Sequence, residues 1–192
     1  PINSITIEKA NFRTASFYVD ANFVDTVFIQ DADFSHATFT KGGAFGRTTF
    51  VQKANFYRAK FKHNVTFLLT TFTQNADFTG TTFTQNAYFE GVRFLKNADF
   101  SKAHITTMNE KFSLPTTFAQ NVRFRFVYFE GKADFRGVIF TNNSEFSDMH
   151  FSDDPIFVSK NVVKKVRAQF SAQSDPQDYV FSVPQSSKPI TI

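Results

Sequence analysis

Large apolar residues recur with a fixed rhythm. Phe stands at 12, 17, 23, 28, 34, 39, 45, 50, 56, 61, 67, 72, 78, 83, 89, 94 and 100, so the spacing alternates between five and six. Two residues before each stands a small or β-branched residue, among them Ala10, Ala15, Ala21, Thr26, Ala32, Ala37, Gly43 and Thr48. Positions i−2 and i share one face of an extended segment, which is the period of a strand rather than the 3.6-residue period of a helix. Each unit therefore predicts a very short strand followed by a corner. Ile105 is expected to take the next Phe position, and after an irregular stretch the rhythm returns at Phe118, Phe124, Phe129, Phe135, Phe140, Phe146 and Phe151.

The physical repeat is longer than the written one. Ala10-Asn11-Phe12, Ala32-Asp33-Phe34, Ala54-Asn55-Phe56, Ala76-Asp77-Phe78 and Ala98-Asp99-Phe100 lie 22 apart, and Thr26, Thr48, Thr70 and Val92 form a second series with the same interval. Four short sides then make one coil, and residues one coil apart stack about 4.8 Å from each other. The six-residue spacings end in Asp20, Asp31, Gly42, Lys53, Asn64, Asn75, Asn86 and Asn97. Because Asn, Asp and Gly accept left-handed backbone, the extra residue is expected to turn the corner. Residues 10–152 would make a rod of roughly 30 Å with stacked Phe as its core. Each buried Phe contributes roughly 1.5–3 kcal/mol by area, to which aromatic contacts add.

Composition and charge narrow the chemistry. The chain has 192 residues, 29 of them Phe, and no Cys, which excludes a disulfide framework, a thiolate metal site and a cysteine nucleophile. The net charge of +4 is spread along the chain, which does not point to nucleic acid as a partner. No run approaches the roughly 18 apolar residues of a membrane-spanning helix. A start at Pro1 is read as that of a processed product or a fragment, which would suit an extracellular or cell-surface rod. His36, His63, His104 and His150 are isolated in sequence, without a metal or acid–base motif, and Gly42-Gly43 sits at a repeat corner rather than in a phosphate loop. No catalytic residue, cofactor, metal or small-molecule substrate is expected. The Thr pairs Thr38/Thr40, Thr71/Thr73 and Thr82/Thr84 resemble an ice-binding array, but Lys60 and Lys62 break it. The β-propensity of Thr accounts for the pairs.

The Ala-[Asn/Asp]-Phe units, as in Ala32-Asp33-Phe34-Ser35-His36-Ala37-Thr38-Phe39, resemble those of the pentapeptide-repeat proteins, in particular the Phe-rich branch with a spacer in every second unit. The resemblance covers about residues 10–152 and implies an all-β fold, a right-handed quadrilateral parallel β-helix with positions i and i−2 inside. One activity in that family is imitation of duplex DNA at a type II topoisomerase such as DNA gyrase, which would be cytoplasmic. Such mimicry needs an acidic face, whereas Lys and Arg outnumber Asp and Glu within 10–152 as in the whole chain. The Asp residues beside the central Phe are expected to bond nearby backbone N–H groups instead.

A solenoid exposes its core and strand edges at both ends and must cap them or bind something there. Ser152-Asp153-Asp154-Pro155 is a helix start, and Val158, Val162, Val163, Val166 and Phe170 fall near one face of the helix that would follow. Residues 1–9 and the tail segments around Tyr179, Phe181 and Ile190 read as extended. The expected organisation is an N-terminal segment over 1–9, a rod over 10–152 with an insertion near 106–117, and a helix and tail over 153–192. Met108, Asn109, Glu110 and Lys111 in the insertion, with Val162, Val166, Phe170, Tyr179 and Phe181 behind the rod, are the candidate contact residues. The expected function is that of a non-enzymatic structural or protein-interaction rod, its partner a second copy joined end to end or as a dimer.

Overall fold

The computed structural model describes residues 4–106, 111–142, 144–153, 155 and 190–191. Among them the chain winds as a four-faced parallel β-solenoid, with sheets of seven, six, seven and six strands and a separate two-stranded hairpin. Most coil strands are only two residues long. The first face stacks Ala10–Asn11, Ala32–Asp33, Ala54–Asn55, Ala76–Asp77, Ala98–Asp99 and Ala133–Asp134. The second begins at Ser16–Phe17 and runs through Thr38–Phe39, Lys60–Phe61, Thr82–Phe83, Thr117–Phe118 and Ile139–Phe140. The third runs from Ala21–Asn22 to Ser144–Ser147, and the fourth from Ile5–Ile7 to His150–Phe151. Terminal segments fold back onto the rod: Ile5–Ile7 pairs parallel with the strand Thr26–Phe28, and Ile190–Thr191 pairs antiparallel with Ile139–Phe140. No helix occurs among the described residues, and the expected helix after Pro155 lies outside them.

Four columns of Phe fill the axis because every coil presents its i side chain to the same place. In the first-face column Phe34, Phe56, Phe78 and Phe100 stack at 5.0, 4.9 and 4.8 Å with planes within 2° of parallel. Rings of the third face meet them edge-on, as Phe67 does Phe56 at 5.6 Å and 89°. Both geometries are favourable for the ring quadrupole. The i−2 residues fill the remaining core, and Ala32, Ala54, Ala76 and Ala98 are buried. Where i−2 is Thr beyond the first coil, its hydroxyl donates to a Phe carbonyl of the coil before: Thr48 to Phe23 at 2.6 Å, Thr81 to Phe56 at 2.7 Å and Thr116 to Phe78 at 2.9 Å. A buried hydroxyl left unpaired would be destabilising, so these bonds are what let Thr replace Ala inside.

Two expectations are corrected. The left-handed positions are not the Asn and Asp that end the six-residue spacings. They lie two residues after Phe in the five-residue spacings, at Thr14, Asp25, His36, Arg47, Arg58, Leu69, Gly80, Gly91, Phe126, Gly137 and Asp148. The Asx side chains instead join coils: the Asp20 carboxylate accepts from Gly42 N–H, Asn64 from Asn86, Asn75 from Asn97, and Asn97 from Lys132. Ile105, likewise, does not enter the core. It pairs with Phe112 in an antiparallel hairpin of Ala103–Thr106 and Lys111–Leu114, and Phe118 takes the place in the second-face column. The two hairpin strands pair with each other and not with the coil sheets, so the column continues without them.

Candidate functional site

The outer surface is set by the residues beside each Phe. On the first face, Asn11, Asp33, Asn55, Asp77, Asp99 and Asp134 form one column. Each side chain accepts from the N–H two residues on, with Ser35, Thr79 and Ser101 donating at 2.8 Å. These are Asx caps of the following turn, as the sequence led one to expect. Burial and the Asp99 charge above it push Asp77 up, against the bonds from Thr79. Asp134 is further held by Arg136, at 2.6 Å. This acidic column is spent on backbone and on Arg136 rather than presented outward.

The second face is different. Lys41, Lys60 and Lys62 stand on it, and no Asp or Glu does among the described residues. Lys60 registers between Thr38 and Thr82, which breaks the Thr array as expected. At the corner leading into this face, Arg13, His36 and Arg58 are neighbours. Burial lowers the His36 pKa first, then the charges of Arg58, Arg13 and Lys60, with Asp33 alone opposing. The His36 ring meets Tyr57 edge-on at 5.4 Å. On other parts of the rod several arginines are paired: Arg47 with Asp25, Arg93 with Glu130, and Arg123 with Glu90 and Glu145. No group of three or more His, Asp or Glu among the described residues is placed to hold a metal.

Of the candidate contact residues, Lys111 opens the second hairpin strand and is exposed. Met108, Asn109 and Glu110, and Val162, Val166, Phe170, Tyr179 and Phe181, lie outside the described residues. Apolar side chains exposed on the rod include Tyr18 and Val19, each at 74%, with Leu68, Leu69 and Phe126 at the corner between the third and fourth faces. The hairpin also shows Phe112. What the sequence reading missed is the basic corner. Its signal is present when the chain is written in rows of 22, which places His36, Arg58 and Gly80 in one column.

A four-sided solenoid with Phe at the centre of each side defines a structural and protein-interaction class of fold. The family model of pentapeptide repeats (9 copies) matches residues 67–107, and the same registers run on both sides of that match, from Ala10 to Phe151. Residues 67–107 therefore carry the repeat that the pentapeptide-repeat family model describes, and the coils on either side keep its spacing. No curated protein and no solved structure matches it.

Proposed function

We propose that the chain is a rigid, non-enzymatic interaction rod that joins a second copy of itself at the end. What carries this reading is the first coil. There the core rings Phe12, Phe17 and Phe23 are only partly buried, while the same columns are sealed from Phe34 onward. The strands Ala10–Asn11, Ser16–Phe17 and Ala21–Asn22 each have one paired side in the described structure. Such an edge bonds another strand readily, and a joint that does not close propagates as a filament. Tyr18 and Val19 stand beside this edge, well exposed. Imitation of DNA is not what this surface favours, since its Asp column is engaged and its second face is basic.

Light scattering behind size exclusion, over a wide concentration range, tests the reading. Mass that grows with concentration, and rods lengthening in negative-stain images, are expected. Replacing Val19 by Lys and Tyr18 by Glu should return the chain to a monomer without changing its circular dichroism. A monomer at every concentration would overturn self-assembly and send the search to partners of the flanks.

A further inference from the structure

Where the hairpin leaves the coil, its base overhangs the second face and encloses a cleft of about 370 Å³ lined by His36, Arg58, Lys60, Thr82, Thr117 and the Leu114-Pro115 step. We propose that this cleft binds a phosphate-type oxyanion. The site stands on the flank of the rod and does not depend on assembly at the ends.

Gly80 lets the hairpin base close on the coil at one wall of the cleft. It is the next residue of the Arg58 column, its φ is +66°, and a Cβ there would come within 2.8 Å of the Ala103 Cβ, 3.3 Å of the Leu114 carbonyl oxygen and 3.4 Å of the Arg58 Cγ. Ala103, the Leu114 carbonyl and Arg58 thus close on the bare Gly80 backbone, which brings the hairpin base down beside Arg58. Arg58 itself occupies a left-handed corner, at φ 55°, which directs a long cation to a position where Gly would sit unstrained.

Charge and hydrogen-bond chemistry converge on an anion. Arg47, Arg93, Arg123 and Arg136 each have a carboxylate partner, whereas Arg58 and Lys60 have none among the described residues. A guanidinium fork offers two parallel N–H donors to an oxyanion, and an ammonium adds a compact charge. The Thr82 and Thr117 side chains border the same space. A concave wall of low dielectric focuses such a field, and His36, whose pKa is lowered first by burial and then by the Arg58 and Arg13 charges, lies within it. A neutral His36 can still donate one N–H. Two sources carry that chemistry: the free ion, and a phosphorylated side chain of a partner protein.

The test is an amide and Arg Nε NMR titration of the full chain at low ionic strength. Its probes are inorganic phosphate, a phosphoserine peptide and the same peptide unphosphorylated. Saturable shifts are expected at Gly80, Thr82, Thr117 and the Arg58 Nε. Arg58→Asn combined with Lys60→Gln should weaken binding at least about tenfold, since charge-assisted bonds are lost. Asn tolerates the left-handed backbone. Lys62→Gln, outside the cleft, should weaken it far less than the double variant. If the double variant loses its dispersed spectrum, Lys60→Gln alone makes the same comparison. Tighter binding of the phosphopeptide than of phosphate assigns a partner's side chain, and equal binding assigns the free ion. Shifts spread evenly over all lysines, binding that survives the variants, or an unphosphorylated peptide that binds as well would each overturn the proposal.

Discussion

Phe118 lies flat on Phe83, ring centroids 4.6 Å apart and planes 2° from parallel, although a whole hairpin separates them in sequence. The column is therefore indifferent to what is threaded between two of its members. Excising Ala103–Pro115 leaves Phe100-Ser101-Lys102-Thr116-Thr117-Phe118, which restores the five-residue spacing with Lys102 at the left-handed corner. The shortened chain should fold with its melting temperature within about 4 °C of the parent, the shift that roughly 1 kcal/mol produces at this size. Loss of a cooperative melt would show that the hairpin is part of the core.

Phe56 is stacked by Phe34 and Phe78 and met edge-on by Phe45 and Phe67. Phe56→Ala should cost about 3–5 kcal/mol in urea unfolding, because rigid neighbours cannot close the gap. Lys62→Ala, on an exposed surface, should stay within about 0.5 kcal/mol.

Two glycines separate backbone need from spare room. Gly80→Ala puts a Cβ at φ +66° and 2.8 Å from Ala103, so a loss of about 1–2 kcal/mol or more is expected. At Gly46 the nearest atoms to a new Cβ are Val24 Cγ2 at 3.7 Å and the Leu68 carbonyl at 3.8 Å, without positive φ. Gly46→Ala should gain about 0.4–1 kcal/mol through the unfolded chain. Thermal unfolding of both variants decides the contrast.

Asp77 stacks between Asn55 and Asp99 in the first-face column. Burial, and then the Asp99 charge, raise its pKa above the ordinary value of 3.8. A raised folded value means that its contribution is complete below the unfolded pKa and is lost as pH rises through the folded one. Asp77→Asn should therefore stabilise at neutral pH and lose that advantage in acid. The amide keeps the bond to Thr79 N–H, as Asn55 does with Tyr57. Melting curves from pH 3 to pH 8 would contradict this if the variant were the weaker at pH 7.

The coil period, the four faces and the core were legible because stacking forces like residues into like columns, so the information is repeated in every coil. The corners were not. Arg58, Leu69 and Phe126 hold left-handed backbone despite side chains that disfavour it, since pairing with the coils on either side fixes their φ. Asn64 and Asn75 misled because a carboxamide suits a turn and an inter-coil acceptor equally. The hairpin register was hidden as well: Ile105 and Phe112 mimic the alternation of core positions while pairing with each other. The cleft joins residues from four places in the chain, and none of them signals a site alone.

The Asn64-to-Asn86 and Asn75-to-Asn97 bonds each span 22 residues. A segment of that length can be duplicated or lost anywhere in the regular part, and every acceptor still finds a donor, every ring a ring. Length is then a free variable of this architecture, tunable in steps of one coil, while the spacing of sites along its sides is quantised by the same step.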